Sequence, residues 1–186
     1  MPSKTKRSPL TLLHIDANLF DRRLLQRALR YGRDDFDPHG VGTLQAATDY
    51  FAFLPGVNGS SGHPRPALII LDYELGAHCG ADFLYWLRVR HRNTAIPVIM
   101  YCASPSRDQV LQCYELGANH FLRKAQSLPN TFRVALTLRL CFAWPSPRFD
   151  WLAHLPESEP DPRINARRLN LTTHTASSAR TQRKGL

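Results

Sequence analysis

Residues 67–71 read Ala-Leu-Ile-Ile-Leu and run straight into Asp72, and this abrupt change of polarity constrains the fold more than any other feature. A strand that is apolar on both faces belongs in the middle of a sheet covered on both sides. Two further strand-like stretches end the same way: 12–15 meets Asp16, and 119–123 meets Lys124. Charged groups just past strand ends, with helical patterns between the strands, are how an open α/β sheet builds a site at its rim. A carboxylate with a second acid and a lysine nearby is a set suited to phosphate and Mg²⁺ chemistry.

The rest of the chain alternates between the two periodicities. Asn18 can cap a helix, with Asp21 three residues on, and Phe20, Leu24, Leu25, Ala28 and Leu29 repeat at helical spacing. Asp37, Pro38, His39 and Gly40 read as a break, followed by a weak strand at 41–44 and a short helix at 46–54. Residues 55–66 carry three Gly and three Pro among polar neighbours and read as a loop. A helix is expected at 82–90 with Phe83, Leu84 and Leu87 inward, then an apolar strand at 96–101. Ser104, Pro105 and Ser106 open another helix that Gly117 stops, and residues 128–142 form the last one. Five β-α units in succession imply a parallel sheet with helices on both faces.

Composition places this unit between two tails. Of the formal charge of +9, three units lie in residues 1–9 and three more lie beyond Leu155, which leaves an ordinary +3 for the middle. The high charge therefore describes the ends and not a DNA-reading surface. The expected organisation is a disordered basic N-terminus at 1–9, one domain at 10–145, and a Pro- and Arg-rich extension at 146–186, mostly disordered. Cys79, Cys102, Cys113 and Cys141 show no paired spacing, and no apolar leader or membrane-length run is visible, so a cytoplasmic protein with reduced thiols is expected.

The segments 12–16, 68–72 and 96–99, and above all Glu115-Leu116-Gly117-Ala118-Asn119 followed by Phe121, Leu122 and Lys124, resemble the receiver domain of two-component response regulators. The resemblance covers about residues 10–143. The long loop before the third strand and the single-domain layout look like the subgroup that partners bacterial and cyanobacterial phytochromes. It implies a flavodoxin-like doubly wound sheet of strand order 2-1-3-4-5. It also implies that Asp72 accepts a phosphoryl group from a histidine kinase, with Mg²⁺ held by Asp16, Asp72 and the backbone carbonyl of Glu74. Lys124 would pair the phosphoryl oxygens, Cys102 stands where a Thr or Ser hydroxyl is usual, and Phe121 holds the position of the switch aromatic. The output would be protein–protein contact through the fourth helix, fifth strand and fifth helix, a surface that could also form a homodimer. No enzyme activity, specific DNA binding or membrane association is implied.

Four positions depart from the family pattern. Ala17 stands where a second acid belongs, Cys102 replaces the hydroxyl residue, Gly76 replaces a Pro in the loop after Asp72, and Ala125 replaces the Pro after Lys124. Ala17 removes a hard oxygen ligand, and an S–H is a weak donor, so cation binding is expected to be weak. The alternative reading is an atypical pseudo-receiver that is not phosphorylated and serves as a constitutive docking or dimerisation module. A small hydrolase or flavin carrier on the same fold is the remote third, because no phosphate-cradling glycine loop or nucleophile–base pair is present. A metal or redox site at His78, Cys79 and Cys102 is weighed and set aside for plain thiols. His14 reads as a neutral core histidine, and Trp144, Phe149 and Trp151 read as packing or dimer-surface residues.

Overall fold

The computed structural model describes residues 8–32, 34–55, 62–91 and 96–142. The expectations for both tails, and for Trp144, Phe149 and Trp151, lie outside these residues. The twelve elements are β1 (Leu10–Ile15), α1 (Leu19–Arg30), β2 (Phe36–Val41), α2 (Leu44–Ala52), β3 (Leu68–Leu71), β4 (Glu74–Leu75), β5 (His78–Cys79), α3 (Gly80–Arg90), β6 (Val98–Cys102), α4 (Arg107–Glu115), β7 (His120–Arg123) and α5 (Leu128–Phe142).

Five strands make one parallel sheet in the order β2-β1-β3-β6-β7, which is the flavodoxin-like 2-1-3-4-5 arrangement. Every residue of β3 and β6 is buried, as strands covered on both faces require. Leu12, Leu68, Ile70, Ile99 and Leu122 pack against Leu25 and Leu29 of α1 and Leu138 of α5. The opposite face, with Leu13, Ile69, Leu71 and Met100, packs against Phe51 of α2, Phe83 and Leu87 of α3, and Cys113 of α4. Each fully buried large aliphatic among these contributes about 1.5–3 kcal/mol by leaving water.

Local chemistry sets the boundaries. Asn18 caps α1 by accepting from the N–H groups of Phe20 and Asp21, and Ser106 with Gln109 forms a reciprocal capping box on α4. The Glu115–Asn119 motif has a structural explanation here. Gly117 turns the chain at a φ of 93° after α4. The Asn119 side chain then accepts the backbone N–H of Val98 at 2.8 Å, and Arg88 donates to the Gly117 carbonyl at 2.8 Å. The motif thus ties α3 to the starts of β6 and β7.

Three expectations need correction. The second strand is Phe36–Val41, running through the residues that looked like a break. It is an edge strand, where Pro38 opposite Leu12 need not donate to a second neighbour. Phe20 is 69% exposed rather than part of the core stripe of α1. Finally, the loop after Asp72 carries a small antiparallel hairpin, β4–β5, that no sequence signal announced.

Candidate functional site

The strand order reverses between β1 and β3, because the chain leaves β1 for β2 on one side and returns to β3 on the other. In wound sheets the crevice at such a point, beyond the C-terminal ends of the strands, is where ligands bind. Asp16 follows β1 there and Asp72 follows β3, and both are buried. Lys124 follows β7 and reaches across the sheet end to meet them.

Lys124 Nζ lies 2.7 Å from Asp16 Oδ2, 2.7 Å from Asp72 Oδ2 and 3.0 Å from Asp21 Oδ2. The other carboxylate oxygens are held by the backbone: Asp16 Oδ1 accepts from the Asn18 N–H, and Asp72 Oδ1 accepts from the Tyr73 N–H. Arg22, one turn into α1, donates to the Asp16 carbonyl. Each polar side chain therefore has little freedom to leave the cluster.

The electrostatics follow from this crowding. Burial pushes the Asp72 carboxyl up, the Asp16 charge adds to that, and the Lys124 hydrogen bond offsets only part of it, so Asp72 stays above the usual carboxylate range. Burial also acts on Asp16, but its contacts with His14 and Lys124 outweigh it and hold that carboxyl low. Burial would lower the Lys124 ammonium, yet the hydrogen bonds it donates to Asp16, Asp72 and Asp21 win and push it well above an ordinary lysine. Lys124 is a fixed positive charge at any physiological pH.

Cys102 is buried at the end of β6, where its carbonyl accepts the Lys124 N–H at 2.7 Å. Burial first, and then the charge of Asp72, push its thiol far up, so it presents a neutral S–H to the pocket. Phe121 is buried in the core cluster that faces α2, α3 and α4. Glu74 is exposed on β4. The hairpin it belongs to is closed by Gly76 at a φ of 73° and by the Gly80 N–H donating to the Tyr73 carbonyl at 2.7 Å. Tyr73 in turn donates from its hydroxyl to Gln112 of α4 at 3.2 Å.

Asp16, Asp72 and Lys124 are thus brought together, with Cys102 beside them, while Glu74 and Phe121 lie outside the ion-paired cluster. Three neighbours were missed by sequence reasoning. Asp21 looked like part of a helix cap, yet its side chain pairs with Lys124. His14, fully buried, sets Nε2 3.4 Å from Asp16 Oδ2. Tyr101 accepts the Ala125 N–H on its hydroxyl. The only available signal for the last two was a polar atom inside an apolar strand. Among the described residues, no group of three or more His, Cys, Asp or Glu side chains is placed to hold a metal ion.

No protein-family model matches the chain. Response regulator Rcp1 of Synechocystis sp. is 29% identical over 126 residues, which span 68% of this chain and 84% of that protein. The crystal structure of the Mn²⁺-bound form of Rcp1 superposes with a TM-score of 0.60 at 27% identity, covering 70% of this chain and 92% of that one. The phosphorylated cyanobacterial phytochrome response regulator RcpA gives the same TM-score, 0.60, at 23% identity, covering 70% of this chain and 91% of that one, a likeness of fold.

Proposed function

We propose that this chain, which is 29% identical to the response regulator Rcp1 and shares its fold, is a receiver of a two-component phosphorelay. Asp72 accepts a phosphoryl group from a phosphohistidine of a histidine kinase, and the modified state is read through protein–protein contacts. The observation that carries this reading is the 2.7 Å contact between Lys124 Nζ and Asp72 Oδ2 at the switch point of the sheet. In the transfer, an Asp72 oxygen attacks phosphorus while the P–N bond breaks and its electron pair returns to the imidazole. The elevated basicity of Asp72 favours the attack, and Lys124 offsets the charge gathering on the phosphoryl oxygens.

A divalent cation fits this pocket in kind and barely in number. Asp16 Oδ2 is a buried hard oxygen whose neighbours are the Lys124 ammonium at 2.7 Å and His14 Nε2 at 3.4 Å. Asp16, Asp72 and the Glu74 carbonyl would hold the ion, which when bound would supply further positive charge for the phosphoryl oxygens. Ala17 adds no oxygen, and octahedral Mg²⁺ binds loosely when carboxylates are few. Ala17→Asp is therefore expected to tighten Mg²⁺ or Mn²⁺ binding about tenfold or more, read by calorimetric titration. An unchanged dissociation constant would show that position 17 does not face the pocket.

The partner we propose is the kinase module of a bacterial phytochrome, since RcpA, which shares this fold, is a phytochrome response regulator. The protein acts by docking and is not itself an enzyme. No helix among the described residues is long and apolar enough to cross a membrane. Ala17 and the neutral thiol of Cys102 favour one second reading, a docking module that is never phosphorylated. Incubation with acetyl phosphate and Mg²⁺, followed by intact-mass measurement, separates the two. One added phosphoryl group that vanishes in Asp72→Asn supports the switch. No uptake, with partner binding unchanged in that variant, supports the docking module.

A further inference from the structure

We propose that Tyr101 is a positioning residue for Lys124, acting as a side-chain rung that extends the β6–β7 ladder beyond its last backbone pair. The inference deepens the receiver reading and rests on it for its kinetic readout, but its geometry stands on this chain alone.

Backbone pairing between β6 and β7 ends at Cys102 opposite Arg123. The next N–H, that of Lys124, still donates to the Cys102 carbonyl at 2.7 Å. Beyond it no strand residue of β6 is left, and the chain is about to turn towards α5. At that point the Tyr101 hydroxyl accepts the Ala125 N–H at 3.0 Å. Two consecutive residues of β6 therefore hold two consecutive residues of the loop, one by its backbone and one by its side chain. Lys124 is one of the two residues so held, and its ammonium reaches Asp16 and Asp72 on two other loops and Asp21 in α1.

The Tyr101 side chain is well placed for such a role. The residue is 4% exposed and packs in the core layer shared by α1 and α5, so its ring cannot swing away. The edge of its ring contacts His14, with centroids 6.2 Å apart at 61°, and His14 in turn faces Asp16. Ala125 is half-buried, so water can meet its N–H if the acceptor is lost; what goes is the hold on the loop, at small cost to stability. Ala125 matters for the same reason. A proline there would carry no N–H to satisfy, whereas alanine supplies a donor, and the Tyr101 hydroxyl meets it.

The test is Tyr101→Phe in the full chain, alone and with Ala125→Pro. Phenylalanine keeps the ring and its packing and removes only the acceptor. The expected result is a near-native thermal transition and an acetyl-phosphate uptake rate at Asp72 lower by about tenfold. Hydrogen exchange at the Lys124 amide, followed by NMR, should quicken, since the loop that carries Lys124 is then held by one hydrogen bond instead of two. Adding Ala125→Pro removes the orphaned N–H and is expected to restore most of both properties. A purely structural tyrosine would instead lower the melting temperature and leave exchange at the Lys124 amide unchanged, which would overturn the proposal. So would a double variant as impaired as Tyr101→Phe. If even the unaltered protein takes up no phosphate, the receiver reading fails, and exchange at the Lys124 amide alone decides the role of Tyr101.

Discussion

Lys124→Met is expected to destabilise the domain by about 2–4 kcal/mol and to abolish measurable phosphoryl uptake. Methionine preserves most of the volume and removes the only charge that Asp16 and Asp72 share. Both carboxylates are buried, so neither can recover its hydration without disrupting the sheet end. Breaking a buried pair by deleting one partner costs about 3–5 kcal/mol, and the partial exposure of Lys124, 12% of its side chain, trims that figure. The pH dependence carries the sign. Lys124 is raised in the folded state, so its contribution is complete below the ordinary lysine value of 10.5 and is lost as pH climbs through the folded value. In the variant both aspartates lose a contact that lowered their pKa, so the native state gains affinity for protons. The deficit should therefore be largest near neutral pH and shrink towards pH 4, as measured by urea unfolding at several pH values. A deficit that does not vary between pH 7 and pH 4 would mean that the three groups are not coupled.

Gly80→Ala should cost about 3 kcal/mol and disorganise the phosphoryl-accepting loop, although Gly80 bears no chemistry. A Cβ at this position would collide with the backbone carbonyl of Asp72 and press on the Cα of Tyr73. Neither is a flexible side-chain end, so the start of α3 must move away from β3. That movement breaks the Gly80-to-Tyr73 hydrogen bond and unseats the residue after Asp72. Overpacking of a tight site typically costs 1–3 kcal/mol, and a backbone obstacle puts this case at the upper end. Gly76→Ala is the natural contrast. Nothing lies within 4 Å of its Cβ, and only its φ of 73° resists a side chain, which costs about 1 kcal/mol. Chemical denaturation of the two variants side by side tests this order, and a larger loss at Gly76 would refute it.

The parts of this fold that could be read from sequence are those where burial and charge meet abruptly. Asp16, Asp72 and Lys124 stand out because each follows a segment that must be hidden, and their convergence comes from the parallel wiring of β1, β3 and β7. The helices of the second half were legible for a similar reason, since Ser106 and Gly117 mark the ends of α4. The second strand was not, because Asp37, Pro38 and Gly40 are turn formers by propensity and only an edge position tolerates them in a strand. Phe20 misled for a related reason. Its spacing fits the apolar stripe of α1, but it lies in the first turn and is exposed. Tyr101 and His14 were hidden inside apolar runs, where an aromatic ring is indistinguishable from packing until its polar atom is seen to face something. Asp21 was read as a cap partner when its side chain serves Lys124, because capping and ion pairing use the same residue type at the same place.

The two margins of the sheet bear on how this domain can be approached. One is β2, interrupted by Pro38, and the other is β7, only four residues long. A neighbour that recognises proteins by lending a strand finds a missing donor at the first and too short a run at the second. Recognition must then fall to side chains displayed on helices and turns, where a single charge change at the rim can be felt. A domain built this way is hard to recruit into fibrils and easy to address by small changes of surface.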